Sequence, residues 1–154
     1  MNSHLEINDE DFEILFQKSS LPASLFTHEA HLRLAWIQIN KYGTEEAIKN
    51  ICDQLSNYVE LIGAGDKYNK TLTIAAIKAV SHFNNKCKLN SFKDFIELFP
   101  RLKYNFKELM ALHYQNDIYN SERAKREYIE PDLLAFSKQM QLTSNLRKKF
   151  HRSF

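Results

Sequence analysis

The stretch HLRLAWIQIN, residues 31–40, decides the fold class, because it is apolar on nearly every side. Only Arg33 and Gln38 interrupt it, and a helix with so little polar surface is usually central, surrounded by other helices. Thr27 is a suitable N-cap at its start, and Gly43 ends it. The sequence therefore predicts a central helix between these two residues.

A second central helix is predicted to begin near Thr71, in the segment TLTIAAIKAVSHF. Its alanines, Ala75, Ala76 and Ala79, allow a neighbouring helix to approach closely. The segment before it, GAGDKYNK over residues 63–70, is the chain's one glycine-rich loop. A phosphate loop needs a set glycine pattern after a strand, so we interpret this segment as a plain connection between helices.

The remaining chain also predicts helices. A helix after Gly43 is expected to bury one stripe, formed by Ala47, Ile51, Leu55 and Tyr58. Further N-caps are expected at Asn8, Thr44, Ser91, Asn105 and Ser121, the last opening a helix that stops before Pro131. Three glycines and three prolines are too few for a β-sandwich or barrel. We expect an all-α, bundle-like single domain of about five to seven helices over residues 1–136, followed by a basic, frayed tail over residues 137–154.

Charge and composition limit the classes of partner. The net charge is +2, with an acidic head over residues 1–13 and a basic end, RKKFHRSF, over residues 147–154. Nucleic-acid-binding domains usually show a basic face throughout, so we expect a solvated tail, or one paired with the acidic head, and no nucleic-acid contact. No run approaches about 18 apolar residues, and the N-terminus does not resemble a signal peptide. We therefore expect a soluble, cytoplasmic protein without a membrane segment.

Two of the six histidines, His28 and His31, stand three residues apart at the start of the first central helix, on one face. This spacing can present two imidazoles to one metal ion, or an acid–base group and its neighbour, although both can also be structural. His4 and His151 fall in ends predicted to be mobile. His82 is predicted to face away from this site. The pattern around His113 does not decide whether it faces the core or the surface.

The blocks Phe26-Thr27-His28, His31-Leu32 and Ala35-Trp36 resemble the signature F-x-H-x-x-H-(L/V)-x-x-A-(W/Y) of an uncharacterised bacterial family of small helical proteins. The run Lys67 to Thr73 is similar to its second block, in which histidine is usual where this chain has Asn69. A tyrosine-rich third block resembles Tyr114 to Asp132. The resemblance covers about residues 26–133, and it implies candidate positions without naming a reaction.

The resemblance places Asn69 beside the histidine pair, where a histidine would complete a three-histidine cluster. Asparagine is a poor ligand for zinc or iron, so metal dependence is less expected here than in the family pattern. Thr73 follows Asn69 by four residues on one helical face, and Tyr68 flanks them. Thr71 and Thr73 can instead bond to the backbone of their own helix.

Two functions follow from these patterns. In the first, a small molecule binds between the two central helices, with His28 as the acid–base or ligand residue and His31 as its neighbour. Tyr68, Asn69 and Thr73 would then form the polar wall, and catalysis would be an added capability. In the second, the chain is a non-catalytic binding or adaptor domain with structural histidines and a basic tail that recruits a partner. The sequence leaves the substrate, cofactor, metal and oligomeric state open.

Overall fold

The computed structural model describes residues 2–136, and over this range the protein is helical with no β-strand. The all-α class predicted from the sequence is confirmed. The eight α-helices in the described range are α1 (Asp9–Gln17), α2 (His28–Tyr42), α3 (Thr44–Leu61), α4 (Lys70–Lys86), α5 (Phe92–Leu98), α6 (Arg101–Tyr104), α7 (Phe106–Ala111) and α8 (Glu122–Arg126). Short 3-10 turns cover His4–Glu6, Ala23–Leu25 and Gly65–Lys67. The predicted tail over residues 137–154 lies outside the described residues.

Helices α2, α3 and α4 pack against one another and form the centre of the fold. From Ala30 to Ile39, every residue of α2 except His31 is buried, as expected for a central helix. In α3 the predicted stripe is buried as well, and in α4 Ala75, Ala76 and Ala79 are inside. None of the helices in this part of the chain is long and apolar enough to cross a bilayer.

The N-caps show where local sequence signals decide a helix start. The side chains of Asn8, Thr27, Ser91 and Ser121 each accept a hydrogen bond from a backbone N–H of the first turn, as predicted. Thr44 was predicted to cap α3, and this is wrong. Gly43 occupies the N-cap position, and the Thr44 hydroxyl instead lies 2.6 Å from that of Ser81 in α4.

Two other helix ends also differ from the prediction. Asn105 precedes α7 as expected, but its side chain makes no capping hydrogen bond. Helix α8 ends at Arg126, several residues before Pro131. There Glu127 is extended, and the Thr71 hydroxyl of α4 binds the backbone, donating to the Glu127 carbonyl and accepting from the Ile129 N–H.

The start of the chain is held in place by α2. His4 was predicted to lie in a mobile end, but it is 2% exposed and sits 2.9 Å from the Glu29 carboxylate. The buried Arg33 guanidinium donates to the carbonyls of His4 and Ile7 and pairs with Asp9. A buried guanidinium requires several acceptors, and the N-terminal segment supplies them. The prediction failed because these partners are about 25 residues apart.

Candidate functional site

A cavity of about 290 Å³ lies where the starts of α2 and α4 meet the end of α3, and we name it the first cavity. The five site residues predicted from the sequence all line it: His28, His31, Tyr68, Asn69 and Thr73. Its apolar wall consists of Phe26, Leu55, Val59, Leu72, Ala76 and Phe106. Small-molecule sites span about 300–1,000 Å³, and a cavity of about 150 Å³ holds benzene. The first cavity therefore fits a ligand of one or two rings.

His31 brings an unsatisfied polar atom to this cavity. Its Nε2 is inaccessible to solvent and has no hydrogen-bond partner among residues 2–136. Burial, reinforced by repulsion from His28, lowers the pKa of His31 to about 4. The imidazole is therefore neutral at pH 7, with one nitrogen that donates and one that accepts. A buried group without a partner costs about 1–3 kcal/mol, so a ligand that bonds to it gains that energy back.

His28 is exposed at the rim, and one of its nitrogens is already engaged. Its Nε2 lies 2.9 Å from the carbonyl oxygen of Leu102, and its ring packs 4.9 Å from that of Phe106. A carbonyl can only accept, so Nε2 carries the proton and, in the neutral ring, Nδ1 is the acceptor. This bond fixes the orientation of the ring and leaves Nδ1 for a second contact.

Two tyrosines of the wall differ in whether their hydroxyls have a partner within the described chain. The Tyr68 hydroxyl interacts with the Cys52 thiol of α3, and burial raises the pKa of Tyr68. The Tyr119 hydroxyl is inaccessible to solvent and has no hydrogen-bond partner within the described chain. Burial also raises the pKa of Tyr119, so its hydroxyl stays protonated. Like His31, Tyr119 offers the cavity a neutral polar group without a partner.

Asn69 and Thr73 are satisfied within the protein. The Asn69 Oδ1 accepts from the Leu72 N–H as the N-cap of α4, and its Nδ2 donates to the Ile118 carbonyl at 2.8 Å. The Thr73 hydroxyl donates to the Asn69 carbonyl at 2.8 Å, one of the backbone bonds considered for it from the sequence. Both residues shape the wall, and Asn69 also holds the loop before Tyr119 against α4.

The other histidines of the described chain lie elsewhere. His82 lines a different cavity at the far end of α4, consistent with the rotation expected from its spacing. His113 is fully buried, with its Nδ1 2.6 Å from the Leu134 carbonyl and its ring stacked on Phe136. Within residues 2–136, no three histidine, cysteine, aspartate or glutamate side chains gather closely enough to hold a metal ion.

Tyr119 is a polar wall residue that the sequence did not single out. It falls inside the tyrosine-rich block Tyr114 to Asp132, but nothing in that block distinguishes it from its neighbours. Its position depends on the bond between Asn69 and Ile118, which joins residues 49 apart in the chain. Phe26 and Phe106 also line the cavity.

Comparisons of the chain with family models, curated proteins and solved structures found no significant match.

Proposed function

We propose that the protein binds a small, neutral, ring-containing molecule in the first cavity, with His31 and Tyr119 as its polar contacts. The observation that supports this most strongly is that two buried polar atoms in one largely apolar cavity have no hydrogen-bond partner within residues 2–136. Native proteins give most of their buried polar groups a hydrogen-bond partner. Two exceptions in one cavity therefore indicate a ligand site.

The charge of the wall favours a neutral ligand body. Among the described residues, no carboxylate lines the cavity, and the single cationic wall residue, Lys67, is exposed. A charged group inside would lose its hydration without gaining a buried counter-charge, which is costly. The aromatic rings of Phe26, Phe106 and Tyr119 provide faces on which a flat ring can stack.

Binding is expected to depend on the two unpartnered groups. A library of neutral one- and two-ring compounds, screened by ligand-observed NMR, should yield binders with dissociation constants of about millimolar or lower. His31→Leu and Tyr119→Phe should each weaken binding about tenfold or more, because one hydrogen bond to a buried group is lost. Failure of every compound to bind the wild type, or binding by both variants as tight as that of the wild type, would contradict the proposal.

Stability separates a binding role from a structural one, and the chain offers a matched control. The buried Tyr58 hydroxyl donates to the Leu21 carbonyl at 2.9 Å, so Tyr58→Phe should cost about 1–3 kcal/mol. Tyr119→Phe removes a hydroxyl without a partner and should leave the free energy of unfolding unchanged or raised, as should His31→Leu. The alternative adaptor function, with structural histidines, requires His31→Leu to lose stability instead. Urea denaturation of the three variants distinguishes these outcomes.

Acid–base catalysis is a second candidate function, favoured by the tautomer of His28. Because the Leu102 carbonyl holds the proton on Nε2, Nδ1 is available as a base beside the neutral His31. Compounds found to bind would be incubated with the protein and followed by mass spectrometry. Turnover that His28→Gln abolishes while binding persists is the expected result for catalysis. Binders that stay chemically unchanged would leave the protein as a binding domain.

A further inference from the structure

A second cavity, of about 430 Å³, lies at the other end of α4. One stripe of that helix forms its floor, namely Lys78, Ser81, His82 and Asn85, which recur at helical spacing. Thr44 at the start of α3 and the segment after α8 form its sides. It shares no lining residue with the first cavity, so its properties are independent of the function proposed above.

His82 gives the second cavity a buried polar atom without a partner. The residue is 7% exposed, and its Nε2 has no hydrogen-bond partner in the part of the chain that the structure describes. Burial, followed by repulsion from Lys86 and His113, lowers the pKa of His82 to about 4. The ring is therefore neutral at pH 7, and it is an unsatisfied group in the floor of the cavity.

Lys78 brings a cation to the second cavity. Its ammonium lies 4.6 Å from the centre of the Tyr128 ring, and the side chain is half-buried. Across residues 2–136 it forms no ion pair with a carboxylate. Glu130 is the one acidic residue among the described residues of the wall, but it is exposed, where water screens its charge.

The hydroxyls of Thr44 and Ser81 lie 2.6 Å apart beside this lysine on the cavity wall. In such a pair one hydroxyl donates to the other, and the accepting hydroxyl keeps its own proton to donate elsewhere. An ammonium and a hydroxyl donor facing one cavity match the oxygens of a carboxylate, which only accept.

We propose that the second cavity is a binding site for a small carboxylate-bearing molecule. The carboxylate pairs with Lys78 and accepts from the Thr44–Ser81 hydroxyl pair. The Nε2 of His82 hydrogen-bonds to a polar group on the body of the ligand. Pro131 and Phe136 provide the apolar contact for that body.

The test uses benzoate and naphthoate, each matched with its neutral primary amide, on the full chain in low salt. Chemical-shift changes and calorimetry should give the acids about tenfold or more tighter binding than the amides, a difference that declines as salt is added. Lys78→Met should remove this preference, and Lys78→Gln serves as a second variant should the first fail to fold. Lys88→Met, at an exposed lysine outside the cavity, should retain it.

His82→Leu should weaken binding of acids and amides that carry a further polar group, while His31→Leu in the first cavity should have no effect. Equal affinity for acids and amides, or no binding of either acid, would overturn the proposal. So would a preference for acids that survives in both Lys78 variants, or one that His31→Leu removes, because the acid would then bind elsewhere.

Discussion

Thr71→Val is expected to cost about 2–4 kcal/mol of unfolding free energy, although the change barely alters the shape of the side chain. Thr71 is fully buried, and its hydroxyl donates to the Glu127 carbonyl at 2.8 Å and accepts from the Ile129 N–H at 3.1 Å. Valine leaves both backbone groups without a partner, at about 1–3 kcal/mol each. We expect a total cost below the sum of the two upper values, because both hydrogen bonds are only partly buried.

Thr73→Val is the matched control for this change. The Thr73 hydroxyl donates to the Asn69 carbonyl, but that carbonyl also accepts the Thr73 backbone N–H at 3.0 Å and keeps this partner in the variant. Urea denaturation should therefore show a much smaller loss for Thr73→Val than for Thr71→Val. Equal losses would mean that the Thr71 bonds do not anchor the segment after α8. Because that segment forms a side of the second cavity, Thr71→Val should also weaken benzoate binding.

Acidification from pH 7 to pH 4 is expected to destabilise the protein by several kcal/mol. The pKa of His31 and that of His82 are each lowered to about 4 by burial, against about 6.5 in an unfolded chain. Between these values the unfolded state binds more protons than the folded state, so the unfolding free energy falls as pH falls. The stabilisation is fully present above pH 6.5 and is lost as pH falls towards 4. At about 1.4 kcal/mol per pKa unit, each histidine contributes on the order of 3 kcal/mol at most.

Denaturation midpoints at pH 7, 5.5 and 4.5 measure this dependence. His31→Leu and His82→Leu should each reduce the loss between the highest and lowest pH, and the double variant should reduce it most. Burial also lowers the pKa of His4, so a smaller loss in the same direction should persist in the double variant. A pH dependence identical in wild type and double variant would show that these two histidines are not held neutral by the fold.

Structural features that depend on residues close together in the chain could be predicted from the sequence. The apolar body of α2, its cap at Thr27 and the small residues of α4 are local patterns, and the structure has each of them. The histidine pair, Tyr68, Asn69 and Thr73 line one cavity, although the only hydrogen bond that the sequence suggested among them was one from Thr73 to the backbone of its own helix. Helical spacing paired His28 with His31 and Asn69 with Thr73, and the family resemblance implied that the two pairs lie together.

Features that depend on distant partners could not be predicted. The Thr44 hydroxyl bonds to Ser81 instead of capping α3, and Arg33 holds the N-terminal segment against α2. Tyr119 reaches the first cavity through the bond between Asn69 and Ile118. None of these pairs is visible in a local pattern, because each joins residues separated by more than 25 positions.

The most direct test of the proposed function is the ¹⁵N resonance of the His31 imidazole during titration with the tightest neutral ring compound from the screen. In ¹⁵N-labelled protein at pH 7, the Nε2 signal should move as this atom gains its first hydrogen-bond partner, and its change should follow the binding isotherm. The His82 imidazole in the second cavity serves as the internal reference and should not move. A His31 signal that is unchanged at saturation would contradict ligand binding in the first cavity.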